Sequence, residues 1–169
     1  MVFNSASYLK VNLHINKVKF YQSFNNIFAK LGASKSFDTM VQLMKTNCLS
    51  VLLYSLESVY LTKDNINNLE FPLKRAFIKM FHVKESMAIS WCQYYMCQLP
   101  VVYILDIRKR KYLNRLGESD CSLLKHLYNN CAEVVLNKIN DKYNVSKNTS
   151  DAKFRRILWS SFYNSLCQS

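Results

Sequence analysis

The chain has 169 residues, of which half are hydrophobic and 14% are aromatic, enough apolar side chain to form a sizeable core and to exclude a wholly disordered protein. Its 23 Lys and Arg outnumber its 11 Asp and Glu, so the formal net charge is +12. With only two Gly and two Pro, the chain does not favour sandwiches, barrels or βαβ folds, which need many turn residues, and it has no Gly-rich phosphate loop.

Apolar side chains recur at helical spacing along most of the chain. This spacing predicts an all-α fold, an irregular bundle of about six to seven helices preceded by one short strand around residues 8–13. The first helix is expected over 13–31 with Gly32 as its cap, and the second over 36–61 with Ser36 as its cap. The remaining helices are predicted over 63–81, 86–97, 100–116 and 119–140, and from 151 onward.

The predicted helix 63–81 has an apolar face and a basic face. Thr62 is expected to cap it, and Pro72 to kink or split it. Arg75 and Lys79 are separated by one helical turn, so they should lie together on the side opposite the apolar face. Ser150 is expected to cap the last helix.

The cysteines and histidines do not form a metal-binding pattern. Six Cys and three His are widely scattered, whereas a zinc site needs four converging ligands, usually in close pairs. We therefore predict no metal and no cofactor. The thiols are expected to be reduced and buried in an intracellular protein of the nucleus or cytoplasm.

Two further classes of protein are disfavoured. Residues 86–105 carry no charge over about the length of a membrane span, but their Gln, Pro and Tyr content favours a buried helix instead. Phosphoryl transfer with two metals needs carboxylates held ~4 Å apart. No two acidic residues are adjacent and no D-x-D or E-x-x-H motif occurs, so we predict that the chain is not an enzyme.

The positive charge is spread over the whole chain rather than gathered in a tail. Residues 1–98 contain 11 basic and 5 acidic residues, and residues 99–169 contain 12 and 6, so each part carries +6. A folded protein with such a field favours polyanions, of which nucleic acid is the commonest. The candidate backbone-binding residues are basic side chains of two predicted helices: Arg75, Lys79, Arg108, Lys109, Arg110, Lys111 and Arg115.

The densest basic cluster, residues 106–115, has three interpretations. Helical geometry predicts that Arg110 faces away from the apolar side, between Lys109 and Lys111, while Arg108 and Arg115 project from the apolar side. The helix can then be solvated, with those two arginines along the core edge, or it can contact phosphates. The third interpretation pairs Arg108 or Arg115 with Glu57, the acid that ends an uncharged run.

Four tyrosines near this cluster are candidates for stacking on unpaired bases, with core packing as the alternative. They are Tyr94, Tyr95, Tyr103 and Tyr112.

Two segments resemble a known family. Residues 19–32 (KFYQSFNNIFAKLG) and 45–57 (KTNCLSVLLYSLE) are similar to consecutive helices just downstream of the palm in non-LTR, LINE-type (jockey-like) retrotransposon reverse transcriptases. The likeness covers roughly residues 8–116. Weaker matches are Leu69-Glu70-Phe71, Lys79-Met80-Phe81, Leu99-Pro100, Arg108 and Lys111-Tyr112-Leu113.

The resemblance implies a thumb-like helical region over 1–116 and a C-terminal helical extension over 117–169. It implies contact with RNA template or a DNA–RNA duplex through the backbone, and an intact reverse transcriptase as a partner in trans. The family's palm aspartates have no counterpart here, so the chain is expected to be a non-catalytic remnant. Ser50 stands where the family has Pro, and Ser55 where it has Gly.

The alternative to nucleic-acid binding is a helical structural or protein-interaction fragment. Its apolar surface would once have packed on a palm domain and would now have no selective ligand.

Overall fold

A computed structural model describes residues 2–4, 10–31 and 37–168 of the chain. The described part is all-α apart from a short antiparallel pair of strands, β1 (Val2–Asn4) and β2 (Lys10–Asn12). Residues 8 and 9 of the predicted strand lie outside the described residues, as do the predicted caps Gly32 and Ser36.

The helices follow the order that the sequence predicts. They are α1 (His14–Leu31), α2 (Phe37–Leu43), α3 (Leu49–Leu52), α4 (Lys63–Phe81), α5 (Ser86–Tyr95), α6 (Val101–Gly117), α7 (Ser122–Leu127), α8 (Glu133–Lys142) and α9 (Asp151–Cys167). A π-helical turn, Met44–Cys48, joins α2 to α3, and a second, Tyr128–Ala132, joins α7 to α8.

The chain forms two compact units, Met1–Val101 and Val102–Ser169. Most of α6 therefore belongs to the second unit, whereas the resemblance assigned residues up to 116 to the first region. The reason is the packing of Leu113, near the end of α6, in one core with residues of α8 and α9. The other buried members of that core are Ala132, Leu136, Ile139, Phe154 and Leu158.

In the first unit, α1 is covered by α3, α4 and the π-helical turn that precedes α3. Phe20 and Phe24 of α1 and Leu73 and Phe77 of α4 are buried, so the two helices turn their apolar faces inward. The buried Asn16 side chain donates to the backbone carbonyl of Leu52 at 3.2 Å. This bond satisfies a polar group that would otherwise be costly to bury.

Two helices begin where the sequence predicts, at residues that cap their N-termini. The Thr62 hydroxyl accepts from the Asn65 N–H at 3.2 Å at the start of α4, and the Ser150 hydroxyl accepts from the Lys153 N–H at 3.3 Å at the start of α9. Of the kink or split expected at Pro72, the split does not occur: α4 continues through this buried residue to Phe81.

The prediction of one helix over 36–61 is wrong. The α-helix ends at Leu52, and Ser55 adopts φ 61° and ψ 16° before a 3₁₀ turn, Leu56–Ser58. This left-handed conformation interrupts any right-handed helix and is costly for residues other than glycine. Since hydrophobic periodicity carries no information about a single residue of this kind, the break was not visible in the pattern.

Ser55→Gly should stabilise the protein by about 1 kcal/mol, because glycine adopts this conformation without steric penalty. The midpoint of urea unfolding measures the change. Ser50→Gly is the matched control: Ser50 lies inside α3, where glycine should destabilise by about 0.5–1 kcal/mol. A Ser55→Gly variant that unfolds at lower urea than the parent chain would contradict the prediction.

Within the second unit, Asp106 of α6 binds the end of α8. Its Oδ2 accepts from Lys142 Nζ at 2.7 Å and from the Tyr143 hydroxyl at 2.6 Å. Burial and the adjacent Asp106 carboxylate raise the pKa of Tyr143. The neutral phenol is therefore the form that the folded state stabilises.

Tyr143→Phe should be less stable than the parent chain by roughly 2 kcal/mol at neutral pH, since a hydrogen bond to a charged group is lost. The folded pKa of Tyr143 lies above the unfolded one, so its contribution is full below pH ~10 and declines as the pH rises further. Chemical unfolding between neutral pH and pH ~11 should show the difference shrinking. Tyr112→Phe, at an exposed tyrosine, should show no such difference at any pH.

Candidate nucleic-acid interface

Five of the seven predicted basic residues lie in two separate depressions or in one buried site, and Arg108 and Lys109 line neither depression. Arg75 and Lys79 line a groove in the first unit, and Lys111 and Arg115 line a cleft in the second. Arg110 is buried instead.

The first depression, the α1/α4 groove, has a volume of about 600 Å³. Its walls come from α1, from α4 and from the residues just after α4. The lining consists of Tyr21, Phe24, Asn25, Arg75, Ala76, Ile78, Lys79, His82 and Lys84. Among the described residues that line it, three carry a permanent positive charge, one is a histidine and none is acidic.

Lys79 is held in the groove by two contacts with α1. Its Nζ donates to Asn25 Oδ1 at 2.9 Å and lies 4.6 Å from the centre of the Phe28 ring. An ammonium has three N–H donors, so the bond to Asn25 leaves others that can reach a ligand. A cation fixed in this way loses less conformational freedom when it binds than a freely rotating lysine does.

Arg75 is held by its own helix. Its guanidinium carbon lies 5.6 Å from the centre of the Phe71 ring, one turn earlier in α4. Contact with a ring face does not use the in-plane N–H donors of a guanidinium, which are the ones that bind phosphate. Both side chains are exposed, as the sequence predicts.

Tyr21 brings to the groove an aromatic ring that is not among the predicted site residues. It is half-buried, and its ring meets Phe20 edge to face with centroids 5.8 Å apart. Burial raises the pKa of its hydroxyl, and the positive charge of Arg75 partly offsets that rise. Tyr21 and Asn25 lie one turn apart on α1, but this spacing does not connect them with Arg75 and Lys79 on α4.

The second depression, the α6/α9 cleft, has a volume of about 550 Å³ and a mixed charge. Lys111, Arg115 and Lys147 line it together with Glu118 and Asp151. Lys147 is already paired with Glu133 Oε1 at 2.6 Å and Asp151 with Arg110 at 3.2 Å, which leaves Lys111 and Arg115 beside Glu118. The net positive charge that this cleft offers to a polyanion is therefore smaller than that of the α1/α4 groove.

The prediction that Arg110 faces solvent is wrong. Only 1% of its surface is exposed, and its guanidinium lies over the Phe154 ring at 4.8 Å. It donates to Asn140 Oδ1 at 3.2 Å and to Asp151 Oδ1 at 3.2 Å, and to two backbone carbonyls of the loop before α9. Those carbonyls belong to Lys147 (3.3 Å) and Thr149 (2.8 Å).

The physical reason is that a guanidinium can be buried when its donors are satisfied and the charge is paired. Arg110 meets both conditions, so it serves the fold of the second unit rather than a ligand. Arg108 and Lys109 are half-buried, and burial lowers the pKa of Lys109 while Asp106 opposes that shift. The proposed pairing of Glu57 with Arg108 or Arg115 would join the two units and stays a prediction.

Arg110→Ala should destabilise the second unit by about 3 kcal/mol, because its partners lose a buried, charge-assisted network. Lys111→Ala changes the net charge equally at an exposed position and should shift stability by less than about 0.5 kcal/mol. Thermal unfolding followed by circular dichroism compares the two. Equal stability of both variants would show that the Arg110 network contributes nothing.

Of the four predicted stacking tyrosines, Tyr94 and Tyr103 are half-buried, whereas Tyr95 and Tyr112 are exposed. Tyr94 and Tyr95 contact Trp91, with centroids 6.0 and 5.9 Å away, although Tyr95 is 73% exposed. Tyr103 lies against Tyr143 and Phe162.

The expectation of buried thiols is correct only in part. Cys48 is buried and Cys92 is half-buried, and all six cysteines are free. The remaining four are exposed: Cys97, Cys121, Cys131 and Cys167.

Over residues 2–4, 10–31 and 37–168, no three His, Cys, Asp or Glu side chains converge as a metal site would require. No helix within those same ranges is long and apolar enough to cross a membrane.

Comparison of the chain with models of protein families, with curated proteins and with solved structures finds no match. The resemblance to LINE-type reverse transcriptases therefore stays a prediction.

Proposed function

We propose that the chain is a non-catalytic remnant of a LINE-type reverse transcriptase that binds the backbone of RNA or of a primer–template duplex. The α1/α4 groove is the binding site. The observation that carries this proposal is the composition of the groove, in which Arg75, Lys79, His82 and Lys84 stand together with no acidic residue among the described lining.

A groove of this kind suits a chain of phosphates. Basic side chains displace the counterions of a nucleic acid, and this release supplies affinity without reading sequence. The net charge of +12 adds a long-range attraction that raises the rate of encounter. The fixed positions of Arg75 and Lys79 supply the short-range contacts.

The backbone at Ser55 supports the relationship to the reverse transcriptases. The resembling family has glycine at the matching position, and here the residue adopts φ 61°, a conformation that glycine adopts readily and serine does not. A remnant that accumulates substitutions would keep the backbone conformation that suits glycine even after the glycine has been replaced by serine.

The proposal assigns no catalysis to the chain. Nucleotide addition needs carboxylates that hold two metal ions, and the acids of this sequence stand singly. Binding is therefore the activity to be tested.

The double variant Arg75→Ala/Lys79→Ala should weaken binding to a labelled primer–template duplex and lower the salt dependence. Each lost phosphate contact reduces the slope of log affinity against log salt by roughly 0.7–0.9, so the slope should fall by about 1.5. Fluorescence anisotropy at a series of salt concentrations measures both quantities.

The matched control is Lys19→Ala/Lys63→Ala, which removes the same charge from two exposed positions of the same unit outside the groove lining. This control should keep most of the slope. A loss equal to that of the groove variant would mean that net charge alone, and not the groove, governs binding.

A second candidate function is favoured by exposed apolar side chains in the second unit. Leu123, Leu127 and Val134 are 65%, 48% and 53% exposed, as in a helical surface made to contact another protein. Weak nucleic-acid binding that neither double variant changes would favour this protein-interaction fragment.

A further inference from the structure

We infer that the α1/α4 groove takes an unpaired base and therefore that its ligand is single-stranded nucleic acid rather than duplex. This inference rests on the proposed function and specifies its ligand. It depends on the apolar interior of the groove, on Tyr21 and on the two fixed cations.

The interior of the groove is apolar although its opening is basic. Phe24 and Ala76 are buried members of its lining, and Ile78 is half-buried. Phosphates need no such interior, because they are bound by charge and by N–H donors. The volume of about 600 Å³ lies within the usual range of roughly 300–1,000 Å³ for pockets that enclose small molecules. A base with its sugar fits that space.

Tyr21 provides a surface for stacking. Its ring is half-buried and is positioned by the edge-to-face contact with Phe20, so little conformational freedom remains to be lost on binding. A tyrosine hydroxyl is neutral at neutral pH, and burial raises the pKa of this one further. Neutral aromatic rings stack on bases of any identity.

The cations stand where the flanking backbone would pass. Arg75 and Lys79 are exposed members of the same lining, and contacts with Phe71 and Asn25 fix them there. A strand whose base enters the groove keeps its phosphates at the opening, so both groups can be bound at once.

A duplex cannot use the interior in this way without breaking a base pair. Turning a paired base out of a helix costs a few kcal/mol, whereas an unpaired base is already free to enter. Duplex would therefore reach only the basic opening.

Three ligands of equal length separate the base from the backbone. They are oligouridine of about 12 nucleotides, within the usual site sizes of single-strand binders, the same backbone with abasic residues, and a mixed-sequence duplex. The full chain should bind oligouridine about tenfold more tightly than the abasic strand, since one stacked base contributes about 1–3 kcal/mol. Duplex should bind no more tightly than the abasic strand.

Tyr21→Ala should remove the tenfold preference for oligouridine and leave abasic binding unchanged, whereas Tyr21→Phe keeps the ring and should keep the preference. The comparison of oligouridine with the abasic strand uses the parent chain, so it decides the inference even if Tyr21→Ala does not fold.

Equal binding of all three ligands overturns the inference. If that binding still depends on salt and on Arg75 and Lys79, the proposed function survives without it. Binding that is weak and insensitive to those two residues overturns both.

Discussion

The packing of α4 against α1 is the interaction on which the candidate site depends. Leu73 and Phe77 of α4 enter the core of the first unit, and this orientation sends Arg75 and Lys79 to the other side of the same helix. The bond from Lys79 to Asn25 then joins that basic side back to α1. Hydrophobic burial thus determines where the charges stand, and the charges add little to the stability of the fold, because exposed ionic contacts contribute little.

Sequence patterns located the elements whose signals are local. Thr62 and Ser150 are caps that act within one helical turn, so the starts of α4 and α9 follow from a few neighbouring residues. The end of α3 depends on the left-handed backbone at Ser55, which helical periodicity does not reveal. The prediction for Arg110 failed for another reason. Its burial depends on Asn140 and on the backbone carbonyls before α9, and these lie far away in the sequence.

As with the fold, only the part of the candidate site that depends on local signals was predictable from the sequence. Arg75 and Lys79 could be found because they share one helix and one turn of spacing. Tyr21 lies on α1, and it joins them only when the two helices pack together. His82 and Lys84 follow the end of α4, where helical periodicity no longer predicts which way a side chain points. The half of the groove that comes from outside α4 is therefore a property of the tertiary structure.

The two depressions show why charge density along the sequence is a poor guide to a polyanion site. The densest run of basic residues supplies Arg110 to the interior, and its neighbours Lys111 and Arg115 share their cleft with Glu118 and Asp151. In the α1/α4 groove, three permanent cations stand with no carboxylate among the described lining residues. A polyanion responds to the charge left after internal pairing, because each cation that is already neutralised releases no further counterion from the nucleic acid. By that measure, Arg75 and Lys79 on α4 form the stronger candidate site.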